Sequence, residues 1–274
     1  MKHAKRDRLD VHGILLLDKP VGLTSNQALQ QAKRLLKARK AGHTGSLDPL
    51  ASGLLPLCFG EATKFAAYLL ESDKRYRATL RLGVTTSTGD PEGEVLAERP
   101  VEVRCEDVVA ALPRFTGDIE QIPPMHSALK HQGRPLYAYA RAGIDIERPP
   151  RRVRVTALTL VECAPPRVVL DVACSAGTYV RTLAQDIGEV LGCGAHLTGL
   201  TRTAAGGFEL GQTRTLAALE TLSPEARRAL LLPPDSLVAH LPALQLDNPA
   251  ARALCQGRTI EHATPAAGLM RVYR

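Results

Sequence analysis

The chain has 274 residues, 45% hydrophobic but only 4% aromatic and without tryptophan, so a core of Leu, Val and Ala is expected in one large domain or one domain plus an appendage. Its net charge of +7 and pI of about 9.2 suit a polyanionic partner. No stretch approaches the ~20 apolar residues that span a bilayer, and the charged start Met1–Arg8 has no signal-like apolar run behind it. The reading is therefore a soluble, cytoplasmic protein without membrane contact. The cysteines are scattered with no Cys-x-x-Cys pair, which argues against zinc. Cys58, Cys163, Cys174 and Cys255 sit among apolar neighbours and read as reduced core thiols.

Gly13 to Leu17 is a short apolar run and predicts a buried strand. Thr24 or Ser25 can cap a helix over residues 25–39, with Ala28, Ala32, Leu35 and Leu36 on one face. Lys33, Arg34, Lys37, Arg39 and Lys40 crowd its C-terminal half, where cations complement the helix dipole. Next comes a tight loop, His43-Thr-Gly-Ser-Leu-Asp48-Pro-Leu-Ala-Ser-Gly53. Its glycines permit turns and Pro49 pushes Asp48 out of the helical region. An apolar stretch, Leu54 to Phe59, anchors it. Asp48 is thus a candidate reactive carboxylate; the plain alternative is an Asp-Pro structural turn.

Glu61 to Leu70 reads as a short helix. Residues 75–83 alternate as a strand, with Tyr76, Ala78, Leu80 and Leu82 on the core side and Arg75, Arg77, Thr79 and Arg81 on the other. Thr85 to Glu94 reads as an exposed, turn-rich loop. The segment 123–154 then stands apart, with seven Lys/Arg against two acids, five prolines, and Tyr137 and Tyr139 on a short helix. A basic, tyrosine-bearing insertion suits either an RNA-gripping loop or a merely soluble one.

Residues 153–162 and 167–174 predict a hairpin. A helix begins near Thr178, burying Val180, Leu183, Ala184, Ile187 and Leu191. Arg181 in its first turn opposes the helix dipole and so calls for an anionic partner, for which Asp48 is a candidate. Ala195 to Arg202 predicts another strand, with Gly206-Gly207 as a turn. From Leu232 the chain turns proline-rich, as a linker and small C-terminal piece do. No second carboxylate at a diagnostic spacing, no glycine-rich phosphate loop and no Ser-His-Asp order is readable.

Five blocks together carry a resemblance. They are Gly13-Ile-Leu-Leu-Leu-Asp-Lys-Pro20, the Asp48 loop, Lys74-Arg-Tyr76, Ser175-Ala-Gly-Thr-Tyr-Val-Arg181 and Leu197-Thr-Gly-Leu-Thr-Arg202. In this order, over residues 10–235, the chain resembles the bacterial TruB-type tRNA pseudouridine synthases. The resemblance implies an α+β pseudouridine-synthase fold, a mixed, mainly antiparallel central sheet flanked by helices and loops. It implies a catalytic domain over 1–235, with an RNA-gripping insertion over about 123–152, and a linker and partial PUA-like segment over 236–274. It implies a monomeric isomerase that needs no cofactor or metal and converts the T-loop uridine conventionally numbered 55 to pseudouridine. Asp48 would be the nucleophile, Tyr76 would stack on the flipped base and act in proton transfer, and Arg181 would pair with Asp48. His43 would take the extruded base's place, while Tyr179 and the Leu200 backbone would contact the uracil. The rival expectation is a non-catalytic tRNA-folding chaperone, which has no need of Asp48, Tyr76 and Arg181 together.

Overall fold

The computed structural model describes residues 8–261 and 268–274. The chain begins with β1 (Gly13–Lys19), α1 (Ser25–Leu35), β2 (Ala41–His43), β3 (Ala51–Phe59), α2 (Ala66–Leu70) and β4 (Lys74–Leu82). The hairpin β5 (Val84–Thr86) and β6 (Val95–Glu98), then α3 (Cys105–Ala111) and β7 (Gly117–Gln121), follow. The insertion holds β8 (Lys130–His131), β9 (Arg134–Pro135) and α4 (Leu136–Ala140). Then come β10 (Arg151–Ala164), β11 (Arg167–Cys174), α5 (Val180–Val190), β12 (Ala195–Ala205), β13 (Phe208–Glu209) and β14 (Arg214–Thr215). The chain finishes with α6 (Leu216–Thr221), α7 (Pro224–Ala229), β15 (Ala243–Gln245), α8 (Asn248–Cys255) and β16 (Arg271–Tyr273).

One ten-stranded sheet organises the molecule, in the order β14-β1-β3-β12-β4-β11-β10-β7, with β2 and β13 attached to β3 and β12. Its pairings are antiparallel except β1 with β14 and β3 with β12. The continuous apolar run of β1 is explained by burial on both faces. Leu15 and Leu17 pack with α1, while Ile14 and Leu16 face a second cluster with Leu54, Cys58 and Leu237. A third cluster lies under α3 and α5, where Val180, Leu183, Ala184 and Ile187 meet Ala78 and Leu80 of β4 and Val168, Leu170 and Val172 of β11. Leu170 stands opposite Ala78 in the β4–β11 register. Tyr76 and Leu200 touch both this cluster and the α1 cluster, so they stand where the two cores meet.

Most expected elements are present, with four differences. The helix expected over 25–39 is α1, capped by Thr24 with Gln27 closing a capping box, and it stops at Leu35. Lys37 adopts a left-handed φ of 53°, and Ala38 leaves the helix to bridge Leu9. The first half of the expected 61–70 helix is a 3-10 turn, Gly60–Phe65. The 85–94 loop is not simply exposed, because Thr86, Gly89 and Asp90 are buried. Lastly, Cys163 is not a free core thiol but is joined to Cys105, their Cα atoms 5.8 Å apart, and Cys255 is exposed. Apolar sequence neighbours do not report which other cysteine comes within reach: Cys105 opens α3 and meets Cys163 near the end of β10, while Cys255 ends α8 uncovered.

Beyond α7, Leu232 exchanges backbone hydrogen bonds with Ile14, and the 3-10 turn Pro234–Val238 buries Leu237 and Val238. β15 and β16 then pair in parallel. Among the described residues, no helix is long and apolar enough to cross a membrane.

Candidate active site

The Asp48 loop is fastened at several points. The Ser25 hydroxyl at the start of α1 donates to the Leu47 carbonyl (3.0 Å) and accepts from the Leu47 amide (2.7 Å). The Gly22 amide donates to Pro49 O and the Ala51 amide to Asp48 O. Gly53 has a φ of 97°, and a Cβ there would collide with the Arg202 backbone on β12, so only glycine lets β3 and β12 run side by side.

This brings the Asp48 carboxylate, 48% exposed, within 3.1 Å of Arg181 Nη2. Arg181 is only 7% exposed, and its other terminal nitrogen lies 3.2 Å from Asp90 Oδ2. Arg181 also donates to the carbonyls of His126 (2.6 Å) and Thr88 (3.1 Å). Asp90 is 5% exposed, and its second oxygen accepts from Thr88 Oγ1 and the Glu92 amide. A buried ion pair is tolerable only when its remaining hydrogen-bonding groups are satisfied, and here they are. The result is an Asp-Arg-Asp row with one end dry and the other open to solvent. The anionic partner that Arg181 requires is therefore double.

Tyr76 is partly buried on β4, opposite Val172 and Arg202. Burial pushes its phenol above the ordinary value, and the Arg202 guanidinium opposes that rise. His43 closes β2 opposite Leu57. Its buried Nδ1 has no hydrogen-bond partner, and burial followed by the field of Arg202 lowers its pKa. Tyr179 caps α5, where the Gln121 side chain clasps its backbone, accepting from the amide (3.0 Å) and donating to the carbonyl (3.2 Å). Leu200 lies between Ala51 of β3 and Ala78 of β4, so it is backbone-tied to both flanking strands. The structure thus joins Asp48 directly to Arg181, and arranges Tyr76 and Leu200 on the strands next to the Asp48 loop.

Lys19, Asp90, Gln121 and Arg202 belong to this neighbourhood without having stood out as site residues in the sequence. Lys19 is fully buried, donates to Pro20 O and Leu23 O, and has its pKa lowered to about 8 by burial, with Asp48 raising and Arg202 lowering it. A signal for Lys19 exists, since alternation along β1 puts it on the face of Leu15 and Leu17. Asp90 gives no such signal: Gly89-Asp90-Pro91 has the composition of a surface turn. A cavity of about 820 Å³, lined by Arg99, Asp107, Arg114 and Val190 among others, opens at the far end of α5 from Arg181 and takes no part in this site.

The mixed sheet thus carries a half-exposed carboxylate on a clamped arginine. The model of the TruB family pseudouridylate synthase N-terminal domain matches residues 33–180, and that of the tRNA pseudouridylate synthase B C-terminal domain matches 181–239. The tRNA pseudouridine synthase B of Thiobacillus denitrificans is 69% identical over 98% of this chain and 90% of its own length. That of Pseudomonas aeruginosa is 55% identical over 99% of this chain and 91% of its own length. Among solved structures, a Cbf5-Nop10-Gar1 complex superposes with a TM-score of 0.71 at 30% identity, covering 90% of this chain and 67% of that one. The chain belongs to the TruB family of pseudouridylate synthases, and it is an isomerase.

Proposed function

We propose that the chain isomerises a uridine in the T-arm loop of tRNA to pseudouridine, with Asp48 as the nucleophile. The observation that carries this is the Asp48 carboxylate, open to solvent on one side and held by a buried arginine on the other. The tRNA substrate is supported by the names of the curated relatives, and RNA binding by a structural neighbour, an H/ACA particle bound to a substrate RNA, which superposes with a TM-score of 0.68 at 27% identity.

In the reaction the C1′–N1 glycosidic bond breaks, the uracil turns over, C1′–C5 forms, and the proton on C5 is lost while N1 gains one. Atoms and redox state balance within the substrate. Asp48 bonds the substrate transiently and leaves as a free carboxylate when C1′–C5 forms, Tyr76 stacks on the base and accepts the C5 proton, and the Leu200 backbone and Tyr179 hold the uracil. Flipping the base out of its stack costs a few kcal/mol, which stacking on Tyr76 and occupation of the vacated place by His43 offset. The basic insertion grips the hairpin by shape and phosphate charge.

The test is mass-spectrometric mapping of pseudouridine in an unmodified tRNA transcript. Wild-type protein is expected to convert one T-loop uridine, and Asp48→Asn to convert none while still binding the hairpin. Conversion by Asp48→Asn would remove Asp48 from its role. Tight hairpin binding by wild-type protein with no pseudouridine would instead favour a binding-only protein.

A further inference from the structure

Arg202 is 1% exposed, the largest fully buried side chain among the described residues. It stands on β12 opposite Tyr76 on one side and Gly53 on the other. Its Nε donates to Leu54 O (2.7 Å) on β3, and its Nη2 to Gly45 O (3.3 Å) in the catalytic loop. Among the described residues it forms no ion pair within 4.0 Å, unlike Arg181. A buried guanidinium without a carboxylate partner is an expensive way to fill space, since an unpaired charge loses its hydration without a counter-ion. Its field reaches Lys19, His43, Lys74 and Tyr76, side chains drawn from β1, β2 and β4 around the site.

We infer that Arg202 is a positioning residue of the isomerisation, one guanidinium that fixes the Asp48 loop and the Tyr76 phenol at a single spacing. It acts through the loop, by holding Gly45 three residues ahead of Asp48, and through Tyr76, its cross-strand neighbour. This rests on the roles proposed above for Asp48 and Tyr76.

The test compares Arg202→Lys and Arg202→Met in wild-type and Tyr76→Phe backgrounds. Arg202→Lys is expected to lower kcat about tenfold or more, as small misplacements of reacting groups do, with KM for a T-arm hairpin little changed. In the Tyr76→Phe background the same change is expected to cost about threefold or less, because coupled residues are not additive. In Arg202→Met the ascending limb of the pH–rate profile, on which the Tyr76 phenol must be deprotonated to take the C5 proton, is expected to move to higher pH, since the cation favouring the phenolate is gone. Equal losses in both backgrounds with an unmoved profile, or wild-type kcat in Arg202→Lys, would overturn the inference. If neither variant folds, the Arg202 Nε–H resonance is followed in Asp48→Asn protein as hairpin is added. A shift is expected, and an unmoved resonance also overturns the inference. An active Asp48→Asn defeats the underlying assignment, whereas an inactive one beside a fully active Arg202→Lys defeats only the role of Arg202.

Discussion

The site and the basic insertion are built on opposite principles. Asp48, Tyr76 and Arg202 hang from β3, β4 and β12, strands of nine, nine and eleven residues in the middle of the sheet. The insertion has two strands of two residues and one helix of five. Its cations lean on its own tyrosines, Arg134 over Tyr139 at 4.8 Å and Arg141 over Tyr137 at 5.5 Å. Bond-making needs groups held to fractions of an ångström, which long, buried strands provide. Gripping a folded RNA needs charge and aromatic faces that can adjust, and sparse packing leaves that freedom. The two regions meet where Arg181 donates to His126 O, which links the insertion to the rigid site.

The sharpest way to break this contrast is Arg181→Met. It strands Asp90, which is 5% exposed, without its cation. Removing one partner of a buried pair costs about 3–5 kcal/mol, and catalysis should go with it. Urea melts of the single variant and of Arg181→Met with Asp90→Asn separate the two losses. The double variant is expected to regain much of the stability and none of the activity. If the single variant melts like wild type, the dry end of the row is not dry.

The smaller effects depend on what is legible in the sequence. The strands β1, β4, β10, β11 and β12, with α5, the insertion and the Asp48 loop, can be read from alternation, helical spacing, charge and turn residues, because those patterns are local, whereas β3 is legible only as an apolar stretch and β7 not at all. The partnership of Asp48 with Arg181 can be anticipated only as a need, since a cation in the first turn of α5 lacks a favourable dipole. Asp90 and the Cys105–Cys163 pair are not legible, because burial of a turn and the meeting of α3 with the end of β10 are tertiary facts. Lys19 is an intermediate case: the alternation of β1 turns it inward, yet a charged residue at the end of an apolar strand is easily taken for its exit to solvent.

Lys19 supplies a pH test on the rigid side. Its ordinary pKa of 10.5 falls to about 8 in the folded protein, with burial the main cause. Between these values the unfolded chain holds more protons, so this residue makes stability rise with pH there and contributes no slope well below pH 8. Lys74 acts in the same direction, while Cys58 and Cys174, pushed up to about 12 and about 11, act in the opposite one. The readable quantity is therefore wild-type stability minus that of Lys19→Met. It is expected to rise by about 3 kcal/mol across the window, and a flat difference would mean that Lys19 keeps its charge in the fold.

The mildest change falls on the insertion. Arg141 contacts the Tyr137 ring and, among the described residues, pairs with no acid within 4.0 Å. Arg141→Ala should therefore alter stability by no more than about 1 kcal/mol, the size of an exposed cation–π contact. If Arg141 meets a phosphate when RNA binds, KM rises, kcat stays, and the slope of log affinity against log salt falls by about one. A drop in kcat with an unchanged salt slope would place Arg141 on the rigid side of the contrast, acting on the site through the His126 carbonyl rather than on the RNA.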